Sequence, residues 1–123
     1  MSLPVKIVVI GAGSASFGEN TLSALLRSLR LRGSHLALVD RNPTALGIVS
    51  RLAERLNREW DCQMRLSAHL HHLEALQGAH FVVSAIEVGA RESLWLQDYE
   101  IPLKYHGRQP YSENGGPFGF MHL

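Results

Sequence analysis

Residues 4–18 read PVKIVVIGAGSASFG, and the order of residue types in this stretch decides the fold. Val5 to Ile10 is β-branched and apolar except for Lys6. A short run that is apolar on both faces reads as a strand buried in a parallel sheet. Gly11-x-Gly13 follows at once, and the leucines beyond it recur at helical spacing. Leu22, Leu25, Leu26 and Leu29 stand at i, i+3, i+4 and i+7, so they predict one apolar helix face. Strand, glycine turn and helix in immediate succession make a loop suited to an anion. Gly11 permits the tight turn, and Gly13 brings no side chain between the backbone and a pyrophosphate. The amides at the helix start face that anion, with Ser14 and Ser16 as added hydroxyl donors. The third glycine of the usual G-x-G-x-x-G would fall at position 16, where this chain has serine.

The pattern continues along the chain. Gly33 ends the first helix, and His35 to Val39 (HLALV) predicts a second strand with Asp40 just past it. Asn42-Pro43 supplies an N-cap and a first-turn proline for a helix carrying Leu46, Val49, Ala53, Leu56 and Trp60. Met64 to Ala68 predicts a third strand, His71 to Leu76 a short helix closed by Gly78, and His80 to Ile86 (HFVVSAI) a fourth strand broken by Gly89. Glu92 to Lys104 predicts a helix interrupted near Pro102, and from Tyr105 onward the chain reads as loop. The order β-α-β-α-β-α-β-α implies parallel strands joined by crossover helices. The predicted class is α/β, a partial doubly wound, Rossmann-like sheet of about four strands with flanking helices.

Composition narrows the partners. The chain has 123 residues, enough for one domain, 1–123, and one core. Twelve Lys and Arg against eleven Asp and Glu leave a formal charge of +1, with no basic stripe, so nucleic acid is a poor fit as a partner. No apolar run approaches the roughly eighteen residues of a membrane span, and glycines break the first apolar run too early for a signal peptide. Cys62 is the only cysteine, which excludes an internal disulfide and agrees with a reducing, cytoplasmic setting.

Asp40 gives the glycine loop a second partner. It ends the second strand 27 residues after Gly13, and from there its carboxylate accepts hydrogen bonds from adenosine ribose hydroxyls. Its charge repels a 2′-phosphate, so the constellation favours NAD over NADP; Arg41 beside it leaves NADP open.

Beyond the generic fingerprint, GAGSASF, LVDRNP, ALQGAHFVVSAIEVGA, DYEIPLKY and ENGGPFGF, in this order, resemble the N-terminal part of glycoside hydrolase family 4. That family comprises NAD- and divalent-metal-dependent α-glucosidases, 6-phospho-glycosidases and α-galacturonidases. The resemblance implies a glycoside substrate, NAD as cofactor, and Mn2+ in the full-length family member only. It also implies a reaction in which NAD oxidises the sugar at C3. A base then removes the acidified C2 proton, the leaving group departs, and water and hydride return, which sets the family apart from two-carboxylate glycosidases. Carried onto this chain, Gly11, Gly13, Ser14, Ala15 and Phe17 match the cofactor loop and Asp40 the ribose-contacting acid. Ala85, Ile86 and Glu87 match the segment beside the nicotinamide-side ribose. Glu113 and Asn114 fall near cofactor and substrate, ahead of a Gly116-Pro117-Phe118-Gly119 turn where GPGG is usual. Apart from the resemblance, Arg91 follows the fourth strand at the carboxyl end of the sheet, where it either contacts an anionic sugar or sits in solvent.

Family members run to several hundred residues, and their metal ligands and tyrosine base follow that turn. The chain therefore reads as an N-terminal NAD-binding fragment with no catalytic or metal-binding residue of its own. Gln109, without a GQET-type motif, leans toward the α-galacturonidase-like branch. A half-built sheet would leave HFVVSAI on an edge, which predicts a homodimer or larger assembly. Two other readings stay open: a fragment of a lactate- or malate-type dehydrogenase, and a non-catalytic nucleotide-binding module. His69, His71 and His72 read as a solvated helix start, and Trp60 and Trp95 as packing residues.

Overall fold

The computed structural model describes residues 4–15, 18–86 and 89–108. They divide into two compact units, Met1–Ala85 and Ile86–Leu123.

The first unit holds a four-stranded parallel sheet: β1 (Lys6–Ile10), β2 (His35–Val39), β3 (Arg65–His69) and β4 (Phe81–Ser84), in the order β3-β2-β1-β4. The register runs Ile7 opposite Leu36 and Phe81, and Leu36 opposite Leu66. Three helices connect the strands: α1 (Gly18–Arg27), α2 (Pro43–Glu59) and α3 (His72–Leu76). This is the Rossmann-like α/β arrangement that the strand and helix order implied.

Alternation within the strands distributes the core over both sheet faces. Ile7 and Val9 of β1, with Leu36 and Leu38 of β2, pack against Leu22 and Leu26 of α1 and Leu46, Val49 and Ala53 of α2. Val8, Ala37 and Val39 point the other way and pack with Ala75 of α3. So α1 and α2 cover one face and α3 the other, as a doubly wound sheet requires. Residues apolar on both faces were the right choice for β1 and β2, because neither face of these central strands meets water.

α2 starts where Asn42-Pro43 predicted. The Asn42 side-chain oxygen accepts from Thr44 N at 3.0 Å and Ala45 N at 3.2 Å, and Pro43 occupies the first helical position. α1 differs from expectation. It ends at Arg27, Ser28 turns extended, and Leu29 to Leu31 form a 3-10 turn. Leu29 is therefore 72% exposed rather than on the face shared by Leu22 and Leu26. β3 and β4 are also displaced or shortened relative to the predicted spans. β4 presents Phe81 and Val82 largely to solvent, since only β1 pairs with it among the described strands. His71 precedes α3 without a side-chain cap, whereas His69 belongs to β3.

The second unit contains α4 (Arg91–Lys104). Its first turn is closed by Leu94 N to Ala90 O at 3.1 Å. Pro102 lies inside the helix and does not interrupt it, contrary to the expected break. A proline forfeits one backbone bond, and with only two helical residues beyond it the loss is confined to the final turn. Among the described residues no helix is long and apolar enough to cross a membrane.

Candidate functional site

In the order β3-β2-β1-β4, β1 leads to β2 on one side, and the chain later returns to place β4 on the other. Such a reversal opens a crevice at the carboxyl ends of the central strands, where ligands of doubly wound proteins bind. The glycine loop leaves the carboxyl end of β1, Asp40 follows β2, and Ala85 follows β4. Ala85 N donates to Ile10 O at 2.8 Å, so the exit of β4 is fastened beside the start of the loop.

The loop is held largely by its own backbone. Gly11 has φ 82°, a left-handed conformation suited to glycine, and it turns the chain out of β1. Gly11 N and Ala12 N both donate to Val39 O, at 2.8 and 3.0 Å, which ties the turn to the end of β2. Ser14 N donates to Gly11 O at 3.1 Å and Gly18 N to Ser14 O at 2.8 Å, carrying the chain into α1.

Asp40 joins this loop directly. Its Oδ2 accepts from Gly13 N at 2.8 Å, and its Oδ1 accepts from Asn42 N at 2.8 Å. Its own amide donates to His69 O at 3.2 Å. The glycine at position 13 is required by this packing. A Cβ added there would stand 2.6 Å from Ala45 Cβ and 2.8 Å from Asp40 Oδ2.

Close packing of helix on loop occurs at Gly18. A Cβ on Gly18 would collide with the backbone carbonyl of Ala12. The helix therefore approaches the loop through its first residue. Counting glycines at fixed spacing misses this, because the point of closest approach depends on where the helix starts.

The remaining candidates are distributed as follows. Ser14 and Ala15 lie in the described part of the loop. Ile86 is exposed and opens the second unit. Arg91 is the first residue of α4, in that second unit. Ser16, Phe17, Glu87, Glu113 and Asn114 lie outside the described residues, as do Gln109 and the Gly116–Gly119 turn.

Two other features lie apart from the glycine loop. A concavity of about 370 Å³ is lined by Leu26, Arg27, Leu29, Arg32, Trp60 and Cys62. It lies at the far ends of α1 and α2, where Arg27 stacks over the Trp60 ring at 4.7 Å. Trp60 also packs against the main core. Burial pushes the Cys62 thiol up. Across the paired strands β2 and β3, His35 Nε2 lies 2.8 Å from Ser67 Oγ and His69 Nε2 3.0 Å from the same oxygen. Burial, and then the charges of Arg65, Lys6 and His69, hold the His35 imidazole below its ordinary range. Among the described residues no group of three His, Cys, Asp or Glu is disposed to hold a metal ion.

Comparison with known proteins agrees with this geometry. The chain is 43% identical over 120 residues to an alpha-glucosidase of Erwinia rhapontici, covering 98% of this chain and 26% of that one. It is 33% identical over 116 residues to an alpha-galactosidase of Bacillus subtilis (strain 168), covering 94% and 27%. It thus spans about a quarter of the length of these relatives. Among solved structures, it superposes on a 6-phospho-alpha-glucosidase from gut microorganisms, in complex with NAD and Mn2+, with a TM-score of 0.71 at 17% identity. That match covers 95% of this chain and 26% of the other, and it shows the shared fold. The family model for family 4 glycosyl hydrolases matches residues 6–122, and the chain belongs to that family.

Proposed function

We propose that this chain is the NAD-binding part of a family 4 glycosidase, with residues 1–123 acting as its N-terminal cofactor domain. The observation that carries the reading is Asp40, seated at the carboxyl end of β2 and within 2.8 Å of the glycine-loop amide. A carboxylate there accepts ribose hydroxyls and repels a 2′-phosphate, so NAD is preferred to NADP.

The residues fit a dinucleotide. The loop has the turn and the close helix approach that a pyrophosphate cradle needs, and Gly13 and Gly18 permit that close packing. Gly11, Gly13, Ser14, Ala15 and Phe17 would form the cradle; Ala85, Ile86 and Glu87 would pass the nicotinamide-side ribose. NAD, when bound, supplies the hydride acceptor for transient oxidation of the sugar at C3. The role of this chain is to bind and orient that cofactor. Arg91, Glu113 and Asn114 are the proposed contacts toward a glycoside substrate. No metal-binding or catalytic role is assigned to this chain, and Mn2+ belongs to the full-length enzyme. The exposed apolar edge of β4 favours self-association, and one buried cysteine suits the cytoplasm.

Calorimetry with NAD, NADP and ADP-ribose tests the reading. NAD and ADP-ribose should bind and NADP should bind more weakly. Binding of none of the three would remove the dinucleotide assignment. Incubation with a nitrophenyl glycoside, NAD and manganese should release no nitrophenol. Turnover would show that the chain carries catalytic groups.

A further inference from the structure

We propose that Asp40 is a positioning residue that braces the glycine loop, in addition to meeting the ribose; this rests on the dinucleotide reading above. Its two carboxylate oxygens are bound to backbone on two different elements. Oδ2 takes the amide of Gly13 in the loop, and Oδ1 takes the amide of Asn42 at the start of α2, each at 2.8 Å. The Asp40 backbone is tied in turn to β3 through His69 O. The carboxylate therefore links the loop after β1 to the helix after β2.

An ionised carboxylate accepts at about four lone-pair positions. Two are taken by these amides, and the others remain for ribose hydroxyls. The brace and the ribose contact are compatible in one geometry, and the amides hold the carboxylate in place before a ligand arrives.

The same network shows which amides are free to meet a pyrophosphate. Gly11 N and Ala12 N are committed to Val39 O, Gly13 N to Asp40, and Ser14 N to Gly11 O. Among the described residues no partner takes the Ala15 amide. The Gly13 amide is thus structural. Position 13 is glycine because Asp40 and Ala45 occupy the space a Cβ would need.

A brace makes a different prediction from a pure charge filter. If Asp40 acted only by repelling a 2′-phosphate, its removal would let NADP in. If it braces the loop, its removal weakens both dinucleotides. The test combines amide hydrogen exchange by NMR with calorimetry on wild-type chain and Asp40→Ala. In wild type, the Gly13 amide should exchange at least tenfold more slowly than that of Ala15. In Asp40→Ala, with circular dichroism confirming a folded chain, Gly13 exchange should rise toward that of Ala15. NAD binding should fall at least tenfold with no gain for NADP. Equal exchange at Gly13 and Ala15 in wild type overturns the brace, and this needs no variant to fold. So does an Asp40→Ala chain that binds NADP as tightly as wild type binds NAD. Should wild type bind neither dinucleotide, the functional reading fails, and the exchange rates still decide whether the brace exists.

Discussion

Replacing Gly18 with alanine sets two rules against each other. Gly18 is the first residue of α1, and glycine in a helix is less favourable than alanine by up to about 1 kcal/mol. Propensity alone therefore predicts that Gly18→Ala stabilises. The structure predicts the opposite sign. The added Cβ would collide with the Ala12 carbonyl oxygen, which is backbone and has no rotamer to move. Ala12 is itself buried and anchored by its amide to Val39 O at 3.0 Å, so it cannot retreat without breaking the turn. Overpacking of this kind costs about 1–3 kcal/mol. Even after the full propensity gain of about 1 kcal/mol is subtracted, the net destabilisation reaches up to about 2 kcal/mol. For a domain of roughly this size, that is a fall in melting temperature of up to about 16 °C. Gly47 in α2 is the control: a Cβ there meets nothing closer than the Arg51 guanidinium at 3.8 Å. Gly47→Ala should raise the melting temperature by a few degrees, in line with about 0.5–1 kcal/mol of helix propensity. The two single variants, melted side by side by circular dichroism, should move in opposite directions. If Gly18→Ala is stabilised as Gly47→Ala is, the close approach of helix and loop is wrong.

Three further outcomes are expected. Asn42→Ala removes the acceptor for Thr44 N and Ala45 N and should cost about 1 kcal/mol in urea unfolding; an unchanged midpoint would show the cap to be idle. Because His35 is held below its ordinary value near 6.5, the unfolded chain takes up its proton first as pH falls. His35 therefore contributes nothing to pH dependence above about 7 and subtracts stability as the pH drops through 6.5. Melting temperature should fall less steeply over that acidic range in His35→Gln, and identical slopes would remove His35 from the account. The open edge of β4 should produce concentration-dependent association in sedimentation, reduced by Phe81→Lys; a stable monomer across the accessible concentrations would count against it.

The architecture was legible because its signals are local. Ile7 to Ile10 is apolar at alternate and intervening positions alike, as a strand covered on both faces requires. Asn42-Pro43 is a cap followed by a residue that cannot donate, and α2 begins there. Asp40 was legible as the residue that follows the second strand, although its bond to Gly13 was not. That contact joins positions far apart in sequence and depends on how the loop folds back over β2. Gly18 escaped for a related reason: a spacing rule counts residues, whereas a clash depends on the path between them. Leu29 misled because its spacing from Leu22 fits a helical face, but spacing does not mark where a helix stops. Pro102 misled in the opposite direction, since a helix breaker near a terminus has little left to break.

The central position of β1 also constrains the order in which the chain can assemble. Pairing of β1 with β2 joins Lys6 to His35, whereas its second edge waits for Phe81 to Ser84. The clasp at the start of that second edge, Lys6 N to His80 Nδ1 at 2.9 Å, spans 74 positions. The bonds that fix the glycine turn, to Val39 and Asp40, and the Asn42 amide that holds Asp40 in place need only β1, β2 and the start of α2. During synthesis the glycine turn can therefore be shaped while one side of β1 is still bare. Closure by β4 is the late, long-range event, with the larger loop entropy to overcome. Slow refolding should accordingly report on β4 rather than on the turn.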